Sequence, residues 1–310
     1  MKRPILISGS HRSGTTWVGR MLCRSHEAGY IHEPFNPYRR PGWGAGRIPH
    51  WFLYVDRANE SLYMPLVRDI LAFHYPLLRN LGEIRSIKRA AFFARDLGDS
   101  VRGRLLRRRP LLKDPIALFS AEWLAERFNA QVVITIRHPA AFASSIKRLG
   151  WRFEFRGWLA QGSLLRDWLH PFEAEMRRLS SPEADIIDQA VVMWNAMHHV
   201  IHAYRERHPE WSFVRHEDLS HAPVEGFRKL YETLDLRWND KVARDIARHS
   251  VAVRKPTSWH HSSVRRDSRA ATNSWMTRLT PAEIGRIRDG CHEVSRLFYG
   301  ENDWERALRD

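Results

Sequence analysis

Apolar and polar positions follow two rhythms along this chain: short unbroken apolar runs of strand length, and longer stretches with one apolar face. Ile5, Leu6 and Ile7, bounded by Ser8 and Gly9, predict a buried first strand. Residues 14–25 follow with Trp17, Val18, Met21 and Leu22 on one helical face. A second short strand is expected over 29–32, and Pro34 and Pro37 then stop regular structure. Residues 38–59 carry Gly, Pro, Arg and the aromatics Trp43, Trp51, Phe52 and Tyr54 with neither period, which predicts a long loop or insertion. Helices are expected over 61–80 and 84–98, before a basic run at 102–109 that reads either as a solvated helix end or as a binding patch. LLKDP at 111–115 ends a third strand, 118–128 is helical, and 131–136 is a fourth strand closed by Arg137, His138 and Pro139. The next helix carries Phe142, Ser144, Ser145 and Lys147. Beyond it come an aromatic, irregular stretch at 151–172, a long amphipathic helix at 185–207 and a strand at 212–214 ending in RHEDL. Helices at 222–235 and 239–249, a basic polar loop at 254–275 and a last helix opening at Thr280, Pro281, Ala282 and Glu283 complete the pattern.

Strands alternating with helices predict an α/β fold whose parallel sheet has helices on both faces. In such sheets ligands bind beyond the carboxyl ends of the strands. The polar motifs each follow a short apolar strand, so they are expected to converge on one sheet edge. The 310 residues are read as a single domain with insertions at about 38–60 and 151–172. A net charge of +15 calls for anionic partners, such as a nucleotide, an acidic substrate, a membrane surface or nucleic acid. No nucleic-acid-binding motif accompanies the charge, so nucleic acid is not expected. Cys23 and Cys291 have no motif spacing and read as reduced core residues, and the 17 histidines form no cluster with metal-ligand spacing. The apolar residues after Met1, Lys2 and Arg3 belong to the first strand and are too few for a signal segment. With no run long enough to span a bilayer, a soluble cytoplasmic protein is expected, with room for peripheral membrane contact.

The chemistry begins at residues 5–17, ILISGSHRSGTTW. A strand, a glycine-bearing loop and a helix start aim backbone N–H groups and the positive end of the helix dipole at an anion. Gly9 and Gly14 have the separation of a nucleotide-binding P-loop and Thr16 stands at its hydroxyl position, but Thr15 replaces the lysine and the basic residue, Arg12, lies inside the loop. That departure argues against an ATPase or GTPase. A second signature pairs Arg137 at a strand end with Ser145 eight residues on, a guanidinium and a hydroxyl able to clamp a phosphate.

RSGTTW after a strand, KDP, ITIRHPAAFASS, the strand ending in RHEDL, and NSW near the C-terminus resemble, in order, the motifs of sulfotransferases with a P-loop-kinase-like fold. The resemblance is closer to the protein-tyrosine and carbohydrate branches than to the small-phenol branch, whose catalytic histidine is absent at LLKDP. It implies transfer of a sulfuryl group from 3′-phosphoadenosine 5′-phosphosulfate (PAPS) to an acceptor hydroxyl. Arg12, the N–H groups of Ser13, Gly14, Thr15 and Thr16, and the two threonine hydroxyls would hold the 5′-phosphosulfate. Arg137 and Ser145 would hold the 3′-phosphate, and Lys113 would stabilise the transferring group. His216 stands where relatives carry a tyrosine near the adenine. Trp17 would frame the nucleotide or serve the core, and Asn273 or Ser274 before Trp275 would touch the donor. One of Arg265, Arg266 and Arg269 would replace a C-terminal basic element. No metal is called for, since Arg and Lys supply the counter-charge.

Glu33 is the leading general base. It follows a strand end, lies 21 residues after Arg12, and its carboxylate would take the hydroxyl proton as sulfur is attacked in line. Partial burial beside Pro34 and Phe35 is expected to raise its pKa. His32 is the alternative, which strand alternation would point the other way. Aromatic and basic residues concentrated in the two insertions, Trp43, Trp51, Phe52, Trp151, Phe153, Phe155, Trp158 and Trp168, either pack as lids or stack on sugar rings, so a carbohydrate or glycolipid acceptor is expected. The competing classes are a P-loop kinase, disfavoured by Thr15 and by the lack of a second strand ending in Asp, and a non-enzymatic polyanion binder, supported by charge alone.

Overall fold

The computed structural model describes residues 3–250 and 272–304. Five strands, β1 (Ile5–Gly9), β2 (Ala28–His32), β3 (Arg109–Lys113), β4 (Gln131–Ile136) and β5 (Ser212–Arg215), form one sheet in the order β2-β3-β1-β4-β5. Every pairing is parallel, with Ile5 facing Leu111 and Gln131, His32 facing Lys113, and Ile136 facing Arg215. The glycine-bearing loop therefore leaves the central strand, between the ends of β3 and β4.

Side-chain alternation divides the core in two. Ile5, Ile7, Tyr30, Leu111 and Val133 pack with Val18, Met21 and Leu22 of α1 (Thr15–Leu22) and with the helices Pro223–Thr233 and Asp240–Ser250. Leu6, Ile31, Leu112, Val132, Ile134 and Ile136 face the larger cluster on the opposite side, which includes the helix Ile186–Arg207. Cys23 and Cys291 are free thiols, the first packed against one cluster and the second inside the other.

Three elements differ from their sequence-based expectation. The helix expected over 61–80 is two, α2 (Glu60–Leu71) and α3 (Leu77–Leu81), because Phe73 turns left-handed (φ 57°) and Pro76 follows. The next helix, α4 (Ile87–Leu105), starts at a Ser86 cap and absorbs Arg102 and Arg104 into its last turn. Arg109, at the end of the same basic run, is buried on β3, where its guanidinium donates to the carbonyls of Arg3 and Leu234 and to the side chain of Gln131. The run is thus divided between a helix end and a buried tie, and neither reading covers it alone. Finally, the irregular 151–172 stretch is a succession of short helical turns, including Arg156–Leu159 and Leu165–Leu169. The helices α5 (Ala121–Phe128) and α6 (Pro139–Leu149) precede and follow β4.

Among the described residues no helix is long and apolar enough to cross a membrane.

Candidate active site

The loop from Gly9 to Gly14 is built on positive φ angles. Gly9 (132°), Arg12 (69°) and Gly14 (91°) turn the chain from the end of β1 into α1. Gly14 is required twice over: its φ suits glycine, and a β-carbon there would stand 2.5 Å from Nδ1 of His216. It is the N-cap of α1, and among the described residues no side chain caps the helix, whose first N–H groups have no intrahelical partner. Ser13 donates its N–H to the carbonyl of Ser10 at 3.2 Å and its hydroxyl to the same carbonyl, which closes the loop on itself.

The two phosphate signatures meet. Nε of Arg12 donates to Oγ of Ser145 on α6 at 3.0 Å, and Nη1 of Arg137 donates to the carbonyl of Arg12 at 2.5 Å. The Arg137 carbonyl accepts from Nε1 of Trp194 at 2.9 Å, and the N–H of His138 donates to Glu217 of the RHEDL turn at 3.0 Å. His138 stacks on Trp275 with centroids 5.3 Å apart, which anchors the NSW segment beside β4. Ser274 itself accepts from Arg278 at 3.1 Å. Arg265, Arg266 and Arg269 lie outside the described residues.

His216 lies against Gly14 and meets Trp17 edge to face at 5.6 Å; Trp17 in turn meets Phe227 at 5.1 Å. Trp17 therefore belongs partly to the core and partly to the rim of the loop. Burial, then the Arg137 charge, pushes His216 down to about 3, so its imidazole is neutral. Its Nδ1, Nε1 of Trp17, and Oγ of Ser10 and of Ser144 are buried without a hydrogen-bond partner among the described residues. A cradle with uncapped N–H groups, two arginines and orphaned buried polar atoms fits an anionic nucleotide.

Glu33 and Lys113 form the second half. Residue pairs Glu33–Lys113 and Phe35–Asp114 interlock the EPFN turn with the KDP turn: the N–H of Glu33 donates to the Lys113 carbonyl at 2.9 Å, and that of Phe35 to Oδ2 of Asp114 at 2.6 Å. The Lys113 ammonium pairs with Oε1 of Glu33, and Asn36 donates to Oε2 at 2.9 Å. Glu33 stands left-handed (φ 47°) before Pro34, so the strand alternation ends one residue earlier. That corrects the expectation for His32. Its Nε2 comes to 3.9 Å of the Glu33 carboxylate, while Nδ1 lies 3.2 Å from the Tyr30 hydroxyl.

The expected upward shift of Glu33 is also corrected. Burial is the largest influence and does push the carboxyl up, but Lys113 and His32, with the hydrogen bonds from Lys113 and Asn36, outweigh it and hold Glu33 below the usual carboxylate range. The raised acid is its neighbour. Asp114, fully buried, is pushed up to about 8, first by burial and then by the Glu33 charge. A carboxyl raised on folding favours the folded state below its ordinary value of 3.8, and that contribution is lost as pH rises through about 8. Asp114→Asn should therefore gain stability relative to the wild type between about pH 5 and pH 9, on top of a constant offset, in urea unfolding at both pH values. A constant difference would remove Asp114 as the titrating group.

Two positions escaped sequence reasoning. Asp114 counted only as the absence of a histidine, yet it positions the Glu33 turn; the signal was an Asp-Pro at a strand end. His11 is the other. It is 4% exposed, both ring nitrogens lack partners among the described residues, and Trp51, Phe52, Phe142 and Trp151 surround it at 5.1–5.6 Å. It ties the loop of residues 9–14 to the segments 38–60 and 151–172, which also touch directly through Trp51 and Trp151. Most of the aromatics considered for sugar stacking are core: Trp43, Phe52, Phe153, Phe155, Trp158 and Trp168 are buried, leaving Trp51 and Trp151 nearer the surface.

The fold is that of a P-loop-like α/β protein with a polar site at the carboxyl edge of its sheet. The chain belongs to the sulfotransferase family, whose sequence profile matches residues 4–240, and it is a sulfotransferase. No curated protein sequence matches it. Among solved structures, a sulfotransferase domain from the curacin biosynthetic pathway is similar in fold, with a TM-score of 0.52 at 16% identity over 97% of this chain and 99% of that one. The sulfotransferase domain of the Synechococcus PCC 7002 olefin synthase aligns at a TM-score of 0.47 and 14% identity, covering 97% of each chain. Mouse sulfotransferase SULT7A1 complexed with PAP aligns at 0.42 and 14% identity, over 100% of this chain and 89% of that one.

Proposed function

We propose that the donor is PAPS and that the acceptor is the hydroxyl of a carbohydrate or glycolipid, deprotonated by Glu33. The observation that carries this reading is the bond from Arg12 to Ser145, which puts the two phosphate signatures on one network around the uncapped start of α1. The donor, when bound, supplies the sulfuryl group for in-line transfer. Arg12 and the N–H groups of residues 13–16 hold the 5′ end, and Arg137 with Ser145 the 3′-phosphate. Trp17 and His216 lie beside the loop as the walls for the base, and Ser274 is the remaining donor contact.

Lys113 supports the base assignment by its position. Its ammonium has one carboxylate partner among the described residues, Glu33, and sits at the end of the strand beside β1. As it turns towards negative charge growing on the transferring group, Glu33 loses its main counter-charge. Burial then dominates and makes the carboxylate a stronger base at the moment a proton must be taken. An acceptor carried on a lipid would be met at a bilayer surface.

The donor assignment predicts that 3′-phosphoadenosine 5′-phosphate binds more tightly than ATP or AMP in calorimetry, because only it fills both phosphate sites. Equal affinities for the three would overturn the donor assignment.

A further inference from the structure

A cleft of about 660 Å³ opens between residues 37–49 and α2, lined among others by Tyr38, Arg40, Arg47, Ile48, Leu62 and Tyr63. Its wall grows directly out of the Glu33 turn. Asn36, which donates to Glu33, accepts the N–H of Tyr38 at 3.0 Å, and residues 34–36 join Glu33 to the cleft wall, which begins at Pro37. Arg40 and Arg47 approach Glu83 and Asp69 at only 3.8 and 3.9 Å, beyond hydrogen-bond range, and Glu83 is shared with Arg89. Both arginines line the cleft, each in a long ion pair with its carboxylate. The rim is apolar: Tyr38 is 78% exposed and Leu62 70%. Asn80 clamps Gly42 through two 3.0 Å bonds, and its helix α3 presents Leu78, 86% exposed, against water beside the same loop.

Two cations set in an apolar rim match one chemistry, an anionic group joined to an apolar chain. Exposed apolar residues grouped in this way mark a binding surface, whereas scattered ones do not. We propose that this cleft seats an anionic amphiphile, with its phosphate- or carboxylate-type group between Arg40 and Arg47 and its apolar chain across Tyr38, Ile48 and Leu62. The role as acceptor site rests on the reading of Glu33 as the base. The arginines select against neutral lipids, and the segment from Glu33 to Tyr38 joins the carboxylate's turn to the cleft wall.

The test is calorimetry on the full chain loaded with 3′-phosphoadenosine 5′-phosphate. Monomeric dihexanoyl phosphatidylglycerol should bind, and the double variant Arg40→Gln/Arg47→Gln should weaken it by about tenfold or more. Leu62→Asn should weaken it as well, while both variants keep the wild-type affinity for the nucleotide. Glycerol 3-phosphate and dihexanoyl phosphatidylcholine separate the sources of binding. Equal affinity for the first means an anion site only, and equal affinity for the second means an apolar groove only. Either result, or an unaffected double variant, overturns the proposal. Loss of nucleotide binding by the wild type would instead overturn the donor assignment and leaves the lipid result to be read by itself.

Discussion

Glu33→Gln is expected to keep 3′-phosphoadenosine 5′-phosphate affinity within about twofold and to lower kcat for sulfuryl transfer by about 10²–10⁴-fold, the range that loss of a general base costs. Glutamine keeps the shape of the side chain and an oxygen for Asn36 or Lys113, so the turn around Phe35 and Asp114 should hold. What it lacks is a lone pair basic enough to take the hydroxyl proton. Calorimetry gives the first quantity, and turnover of labelled donor against a panel of sugars and glycolipids gives the second. Full activity in the variant removes Glu33 from the base role; a parallel loss of nucleotide affinity makes it a structural residue instead.

Lys113→Met should lower kcat by about 10²–10³-fold, the cost of removing one preorganised charge from a transferring group. It should also move the acid limb of kcat/KM, which reports the free enzyme, to higher pH. The sign follows from the site. Burial is the largest influence on Glu33 and pushes its carboxyl up, and the Lys113 ammonium is the largest influence opposing it. With the ammonium gone, burial prevails and the carboxyl gives up its proton only at higher pH. Methionine retains the stem that packs at Gly19, where a β-carbon would lie 3.3 Å from Cβ of Lys113. An acid limb that stays in place would show that Lys113 does not set the ionisation of Glu33. Circular dichroism and thermal unfolding of the variant separate a folded, slow enzyme from a misfolded one.

Much of the site was legible because its parts are local. Ile5–Gly9 followed by Arg12, Gly14 and Thr15 is a strand, a turn and a helix start within one short segment, and each residue type has a mechanical reason to be there. Arg137 and Ser145 were readable as a pair because a strand end and the helix that follows it carry them eight residues apart. Their bond to Arg12 was not, since it closes a separation of 133 residues. The state of Glu33 was misread for the same reason. Sequence showed its neighbours Pro34 and Phe35 and so its burial, whereas its counter-charge, Lys113, comes from a strand 80 residues away. His11 carried no signal in its loop, because Trp51 and Trp151 are brought around it from segments 40 and 140 positions away in sequence.

By itself, the sequence determined the alternation of strands and helices, the phosphate-type loop, its missing lysine and the family to which these belong. Those follow from spacing and residue type, which are properties of neighbouring positions. The tertiary structure alone decided which polar groups are paired: Arg12 with Ser145, Lys113 with Glu33, and Asp114 with the backbone of Phe35. It also decided which aromatics are core and that Arg40 and Arg47 line one cleft while Arg39 pairs with Asp96. Charge and burial act through space, so a carboxyl's readiness to take a proton is fixed only once the sheet has set β2, β3 and β1 side by side.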